Sequence, residues 1–226
     1  MNINSAIPMP LKPQVPVQAA TPRPTEALSS NALKEQEKKE AFAKAFYTRE
    51  EEPWKGKLYN VRKNTTDDVR ELTKDEYLSL VKLQIHREIY NQSHMYNQFR
   101  KSVMDMRPDL AGTHFSFTLG DDAELKILDP EKKLNEDDFR WLTKSINSNA
   151  EFKDSTRTFA KLVMTAADHD SKNFSKKNTL NLLNFQDTID LGAILMDSNN
   201  NTSERWMKQI KGNEVTKDSS LVDTYA

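Results

Sequence analysis

The chain contains no cysteine, which excludes disulfides, thiolate metal sites and cysteine nucleophiles. Glycine is scarce, with five residues in 226. None of Gly56, Gly112, Gly120, Gly192 and Gly212 is clustered with another. That spacing excludes a phosphate-cradling loop, a nucleophile elbow and a dinucleotide fingerprint. No run approaches the ~18 consecutive apolar residues of a membrane-spanning helix. Residues 1–25 lack the continuous apolar stretch of a Sec signal peptide. A basic surplus is missing too: 33 Lys and Arg stand against 34 Asp and Glu, a net charge of -1. Nucleic-acid binders neutralise phosphates with excess cations, so this balance argues against that class. The small cluster Lys172, Lys176 and Lys177 reads as a solvated loop.

What is present begins with proline. Six of the nine prolines fall in the first 24 residues, from Pro8 to Pro24, and the first acidic residue is Glu26. Proline removes a backbone donor and disfavours helix in the residue before it. The surrounding Ala, Val, Gln, Asn, Ser and Thr offer no periodic apolar face, so residues 1–31 are expected to be a disordered tail. Residues 32–65 read as a charged helix followed by a linker. Phe42, Phe46 and Tyr47 form a narrow apolar strip on that helix, Pro53 ends it, and Trp54 to Asn64 is expected to be loop. Residues 66–211 read as a helical core domain and 212–226 as a C-terminal tail.

The clearest local signal is Thr73-Lys-Asp-Glu76, the pattern of a capping box. Behind it, Leu78, Val81, Ile85, Ile89, Gln92, Tyr96, Phe99, Val103 and Met106 follow in steps of three and four, as one face of a helix requires. Pro108 closes the run, which predicts one continuous helix of ~45 Å from Thr73 to about Met106. Next, Phe115, Phe117 and Leu119 alternate, and Leu125 and Ile127 alternate in turn. Gly120, Asp121 and Asp122 between them suit a tight turn, which predicts a β-hairpin within 114–128. Asn135 is placed to cap a helix carrying Phe139, Leu142 and Ile146, with Trp141 beside that face. Asp154 or Ser155 is placed to cap another, with Phe159, Leu162, Val163 and Ala166. A third helix, Asn178 to Met196, is apolar on several sides and is expected to be central and buried. After an Asn-rich break at Ser198 to Thr202, a short helix carries Trp206 and Ile210. The fold class is therefore mainly α: a helical bundle with one long helix and a small β-hairpin.

Side-chain chemistry is sparse. A zincin needs two histidines four apart on a helix with a glutamate between them; His86 and His94 are eight apart. The run from Asp168 to Asn173 begins like a calcium loop, but Lys172, Asn173 and Thr179 fall where an oxygen ligand, glycine and glutamate belong. The run from Asp197 to Asn201 fails likewise at Lys208. Both read as turns that end helices. The pairs Asp67–Asp68, Asp121–Asp122 and Asp137–Asp138 are adjacent residues whose side chains diverge, unlike a convergent catalytic pair. No catalytic residue, metal ligand or cofactor site is expected.

The function expected on this basis is binding of a protein partner without turnover, with Tyr96, Phe99, Trp141 and Trp206 as candidate contact residues. The acid-poor, Ser-, Asn- and Pro-rich tail resembles those of proteins delivered through a bacterial type III apparatus, an effector or an export-associated regulator. That implies a cytoplasmic protein of the producing cell, exported by a non-Sec route. Alternatives are a cytoplasmic or phage-encoded structural or adaptor protein, and an enzyme whose site assembles from distant segments.

Overall fold

The computed structural model describes residues 26–60, 69–175, 180–196 and 204–212. The chain divides into two units, residues 1–35 and 36–226. Of the first, the described part is the opening of helix α1 (Glu26–Phe46). The rest of the expected tail, 1–25, lies outside the described residues. Residues 26–31, expected to belong to the tail, are instead helical, because proline stops at Pro24 and helix-compatible Glu26, Ala27 and Leu28 follow.

In the second unit, α1 ends at Phe46, well short of Pro53. Ala43 is buried, with Phe46 and Tyr47 packed beside it, while Phe42 on the predicted strip is 45% exposed. The segment expected to be loop contains a strand, β1 (Leu58–Asn60), paired antiparallel with β2 (Val69–Glu71). Three-residue strands carry too little alternation to be read from sequence.

Helix α2 (Lys74–Met106) opens with the predicted capping box: the Thr73 side chain accepts from Glu76 N–H and Glu76 from Thr73 N–H. Leu78, Val81, Ile85, Ile89, Gln92, Tyr96 and Val103 are buried as predicted. Phe99 is partly buried, and Met106, the last residue of the helix, is 59% exposed.

Helix α3 (Glu136–Asn147) is capped by Asn135 as predicted. It turns Asp138, Leu142 and Ile146 inward and leaves Phe139 41% exposed. Asp138 is tolerated inside because Arg107 donates to it at 2.5 Å. Helix α4 (Ala150–His169) is capped by Asn149, one turn ahead of the expected Asp154 or Ser155. It packs along α2, and Gln92 Nε2 donates across to the Ser155 carbonyl at 3.3 Å.

The hairpin lies where alternation placed it: β3 (Ser116–Leu119) pairs antiparallel with β4 (Leu125–Leu128). Its left-handed turn residue is Ala123 (φ 56°), not Gly120 or an aspartate. Arg157 Nε fixes that backbone by donating to the Ala123 carbonyl at 2.9 Å. All four β3 residues are buried, so this strand is covered on both faces. Phe117 meets Tyr96 at 4.8 Å and Phe152 at 5.1 Å between ring centroids, joining β3 to α2 and α4. On the other face, Thr118 Oγ1 donates to the Ile189 carbonyl at 2.6 Å, and Ser116 Oγ donates to Asp190.

That second face is covered by two short helices, α5 (Leu182–Thr188) and α6 (Leu191–Leu195), where one helix was expected over 178–196. Ile189 is extended (φ -116°, ψ 116°), and Asp190 caps α6 by accepting from Ala193 N–H. Gly192 permits this: a Cβ there would run into Ser116 Oγ and lie 3.0 Å from Ser116 Cα. Helix α7 (204–212) follows. The Asn-rich break lies outside the described residues.

Candidate interaction surface

Tyr96 and Trp206, two of the four candidate contact residues, belong to the core. Each is 1% exposed. Tyr96 donates to the Phe115 carbonyl, and Trp206 meets Phe174 at 5.8 Å. Neither reaches a partner in this conformation. Trp141 is partly buried, with the Arg107 guanidinium 5.5 Å over its ring. Phe99 is partly buried against Tyr96 and Phe115. Its remaining side lines a cavity of about 290 Å³ with Met95, Met106 and Ile146. The four are thus dispersed, and the structure brings only Tyr96 and Phe99 together.

A different face of α2 is open. Leu80, Leu83, Tyr90 and Met104 are 37%, 61%, 79% and 43% exposed. With exposed Arg87, His94, Asn97 and Lys101 they fill positions 80, 83, 87, 90, 94, 97, 101 and 104. The steps run three, four, three, four throughout, the seam of a heptad helix. The stripe spans ~36 Å at 1.5 Å per residue. The inward face of the same helix is buried in the core. Sequence reading missed it because the inward apolar series dominates the pattern. The signal was there in Leu80, Leu83 and Tyr90, which sit out of phase with that series.

The charges on α2 are one-sided. Between Tyr77 and Met104 the sole acid is Glu88, and it faces α4, accepting from Ser155 Oγ at 2.6 Å. Lys82 pairs with Asp170, and Arg100 contacts the Met196 sulfur. Arg87 and Lys101 make no ion pair among the described residues. His86 and His94, eight apart, are both exposed; His94 Nε2 lies 2.9 Å from Gln98 Nε2.

The best-placed titratable group is His169, at the end of α4. It is 3% exposed, and its Nε2 is enclosed without a hydrogen-bond partner. Trp54 stands edge-on to it at 5.5 Å. Both residues line a cleft of about 540 Å³ with Arg49, Lys74, Asp168 and Phe174. Asp168 accepts from Tyr47 at 2.8 Å. In the turn beyond, Asn173 Nδ2 donates to Asp170 at 2.7 Å. The run Asp197 to Asn201 lies outside the described residues. Among the described residues no three His, Asp or Glu side chains are grouped to hold a metal. Nor is any helix there long and apolar enough to cross a membrane.

Burial is the main cause that holds the His169 pKa below its usual range. Asp168 opposes the shift, and Arg49 and Lys74 add to it. As pH falls, the unfolded chain takes up this proton first, so the folded state loses stability. The contribution is complete above the ordinary value of ~6.5 and is lost as pH drops from there through the folded value. Urea midpoints between pH 7 and 5 should therefore fall less steeply for His169→Gln than for wild type. Equal slopes would mean that His169 titrates as if exposed.

Comparison with family models, curated proteins and solved structures finds no match.

Proposed function

We propose that the folded body acts by binding a protein partner and carries out no turnover of its own. The observation that supports this is the open α2 stripe, where four large apolar side chains share one exposed seam. Exposed apolar side chains at three-four spacing, interspersed with Arg87, His94, Asn97 and Lys101, are what a helix-recognition surface presents. The acid-poor N-terminal stretch supports the further reading of an exported protein, a type III effector or export regulator that begins in the producing cell's cytoplasm. A structural or adaptor role inside that cell is the alternative. A reporter fused to residues 1–30 separates the two: type III-dependent export favours the first, retention the second.

The enzyme alternative rests on His169. Against it, Asp168 is already engaged by Tyr47, and the Trp54 ring stands edge-on against the imidazole. A photo-crosslinking amino acid placed at Leu83, Tyr90, Phe42 or Phe139 of the full chain tests the binding reading in producing cells. The expected result is one discrete adduct of reproducible mass from positions 83 and 90. If no position yields an adduct, and His169→Gln removes the cellular phenotype without unfolding the chain, the binding reading fails.

A further inference from the structure

Resting on that reading, we infer that the α2 stripe accepts a single amphipathic helix of the partner, apolar at three-four spacing and flanked by Asp or Glu. The geometry of the seam selects a helix. Leu80 stands at an a position and Leu83, Tyr90 and Met104 at d positions of this three-four seam, and the knobs of a second helix fit the holes such positions form. An extended segment would need an open strand edge, and a helix face presents no free backbone donors.

Charge selects the sign of that helix. Arg87 stands between Leu83 and Tyr90, and Lys101 between Asn97 and Met104. Both are exposed and without an ion pair among the described residues. The one acid of this stretch is turned inward to Ser155. In a chain whose charges nearly balance, this face is therefore cationic, and a partner carrying Lys or Arg at its flanks would be repelled. An acidic flank supplies the missing counter-charges.

The same surface fits a membrane or a nucleic acid poorly. The two unpaired cations are ~21 Å apart along the axis. Anionic lipid surfaces are read by clusters of roughly four to eight basic residues, and nucleic-acid affinity likewise grows with the number of phosphates neutralised. Two separated charges within the three-four seam instead give register to a helix.

The test uses the full chain and two fluorescein-labelled peptides of about four heptads, each with Leu at a and d. One carries Glu at every e and g position, the other Lys. The acidic peptide is expected to bind, and the lysine peptide about tenfold more weakly at low salt, the preference shrinking as salt is added. Leu83→Glu with Tyr90→Glu should abolish binding, and Arg87→Glu with Lys101→Glu should reverse the preference. All four side chains are exposed, so unchanged melting of these variants confirms that folding is intact. Equal binding of both peptides, or binding of neither, overturns the inference. So does association with phosphatidylglycerol vesicles or duplex DNA in place of the acidic peptide. A cellular adduct at Phe42 or Phe139 with neither peptide bound would leave the interaction reading standing and remove the acidic helix.

Discussion

Phe117→Ala is expected to cost about 3–5 kcal/mol of folding stability, the usual range for deleting a buried phenyl ring. Phe117 has no exposed surface and touches both Tyr96 and Phe152, so one ring ties the strand to two helices. The neighbours cannot close over the gap, because each is fixed elsewhere. Tyr96 is anchored through the Phe115 carbonyl, and Phe152 lies in the first turn of α4, whose cap Asn149 accepts its N–H. For a body of this size the loss corresponds to a fall of ~6–20 °C in Tm. Thermal and urea melts measure it directly, with Tyr90→Ala as the control. Tyr90 is 79% exposed, so its truncation should move the midpoint by less than ~0.5 kcal/mol. A Phe117→Ala protein that melts with wild type would mean the β3 layer is not part of the cooperative core.

The elements legible in the sequence are those with a local cause repeated many times. Helix α2 has a reciprocal cap at Thr73 and Glu76 and seven inward residues in phase. The hairpin has two alternating runs, and its register brings Phe117 opposite Ile127. Where one residue decides the outcome, the pattern hides it. The segment 178–196 is apolar on several sides, which suits one buried helix as well as two short ones covering a strand. Asp190 settles it by capping α6 while taking the Ser116 hydroxyl bond. The cap of α4 lies a turn ahead of the expected Asp154 or Ser155 for a similar reason: Asn149, Asp154 and Ser155 are all competent caps, and tertiary packing of Phe152 selects the first. Contact residues were the least legible. Bulky aromatics suit cores and interfaces equally, and burial, which separates the two, is a property of the fold.

Trp206 shows what that distinction predicts. Were it a contact residue, Trp206→Ala would weaken partner binding and leave folding untouched. In the structure its indole is buried against Phe174, and with Ile210 it forms the apolar face of α7. Polar bonds from α7 reach the α5–α6 junction. Gln209 both accepts from Asp190 N–H and donates to its carbonyl, each at 3.1 Å, and Arg205 donates to the Ala193 carbonyl at 2.8 Å. Those bonds hold only while α7 is docked, and an isolated helix of nine residues is marginal in water, so the indole is what keeps it in place. Trp206→Ala is therefore expected to cost about 3–5 kcal/mol. The loss should appear first as faster amide exchange in α7 and around Asp190 and Ala193, ahead of α2 and α4. Because the α2 stripe lies on a different element, affinity for the acidic helical peptide should be unchanged below the melting transition. Hydrogen exchange and a peptide titration on the same sample decide the matter. Full protection of α7 with lost peptide binding would return Trp206 to the contact surface, whereas lost protection with intact binding fixes it as the anchor of the C-terminal helix.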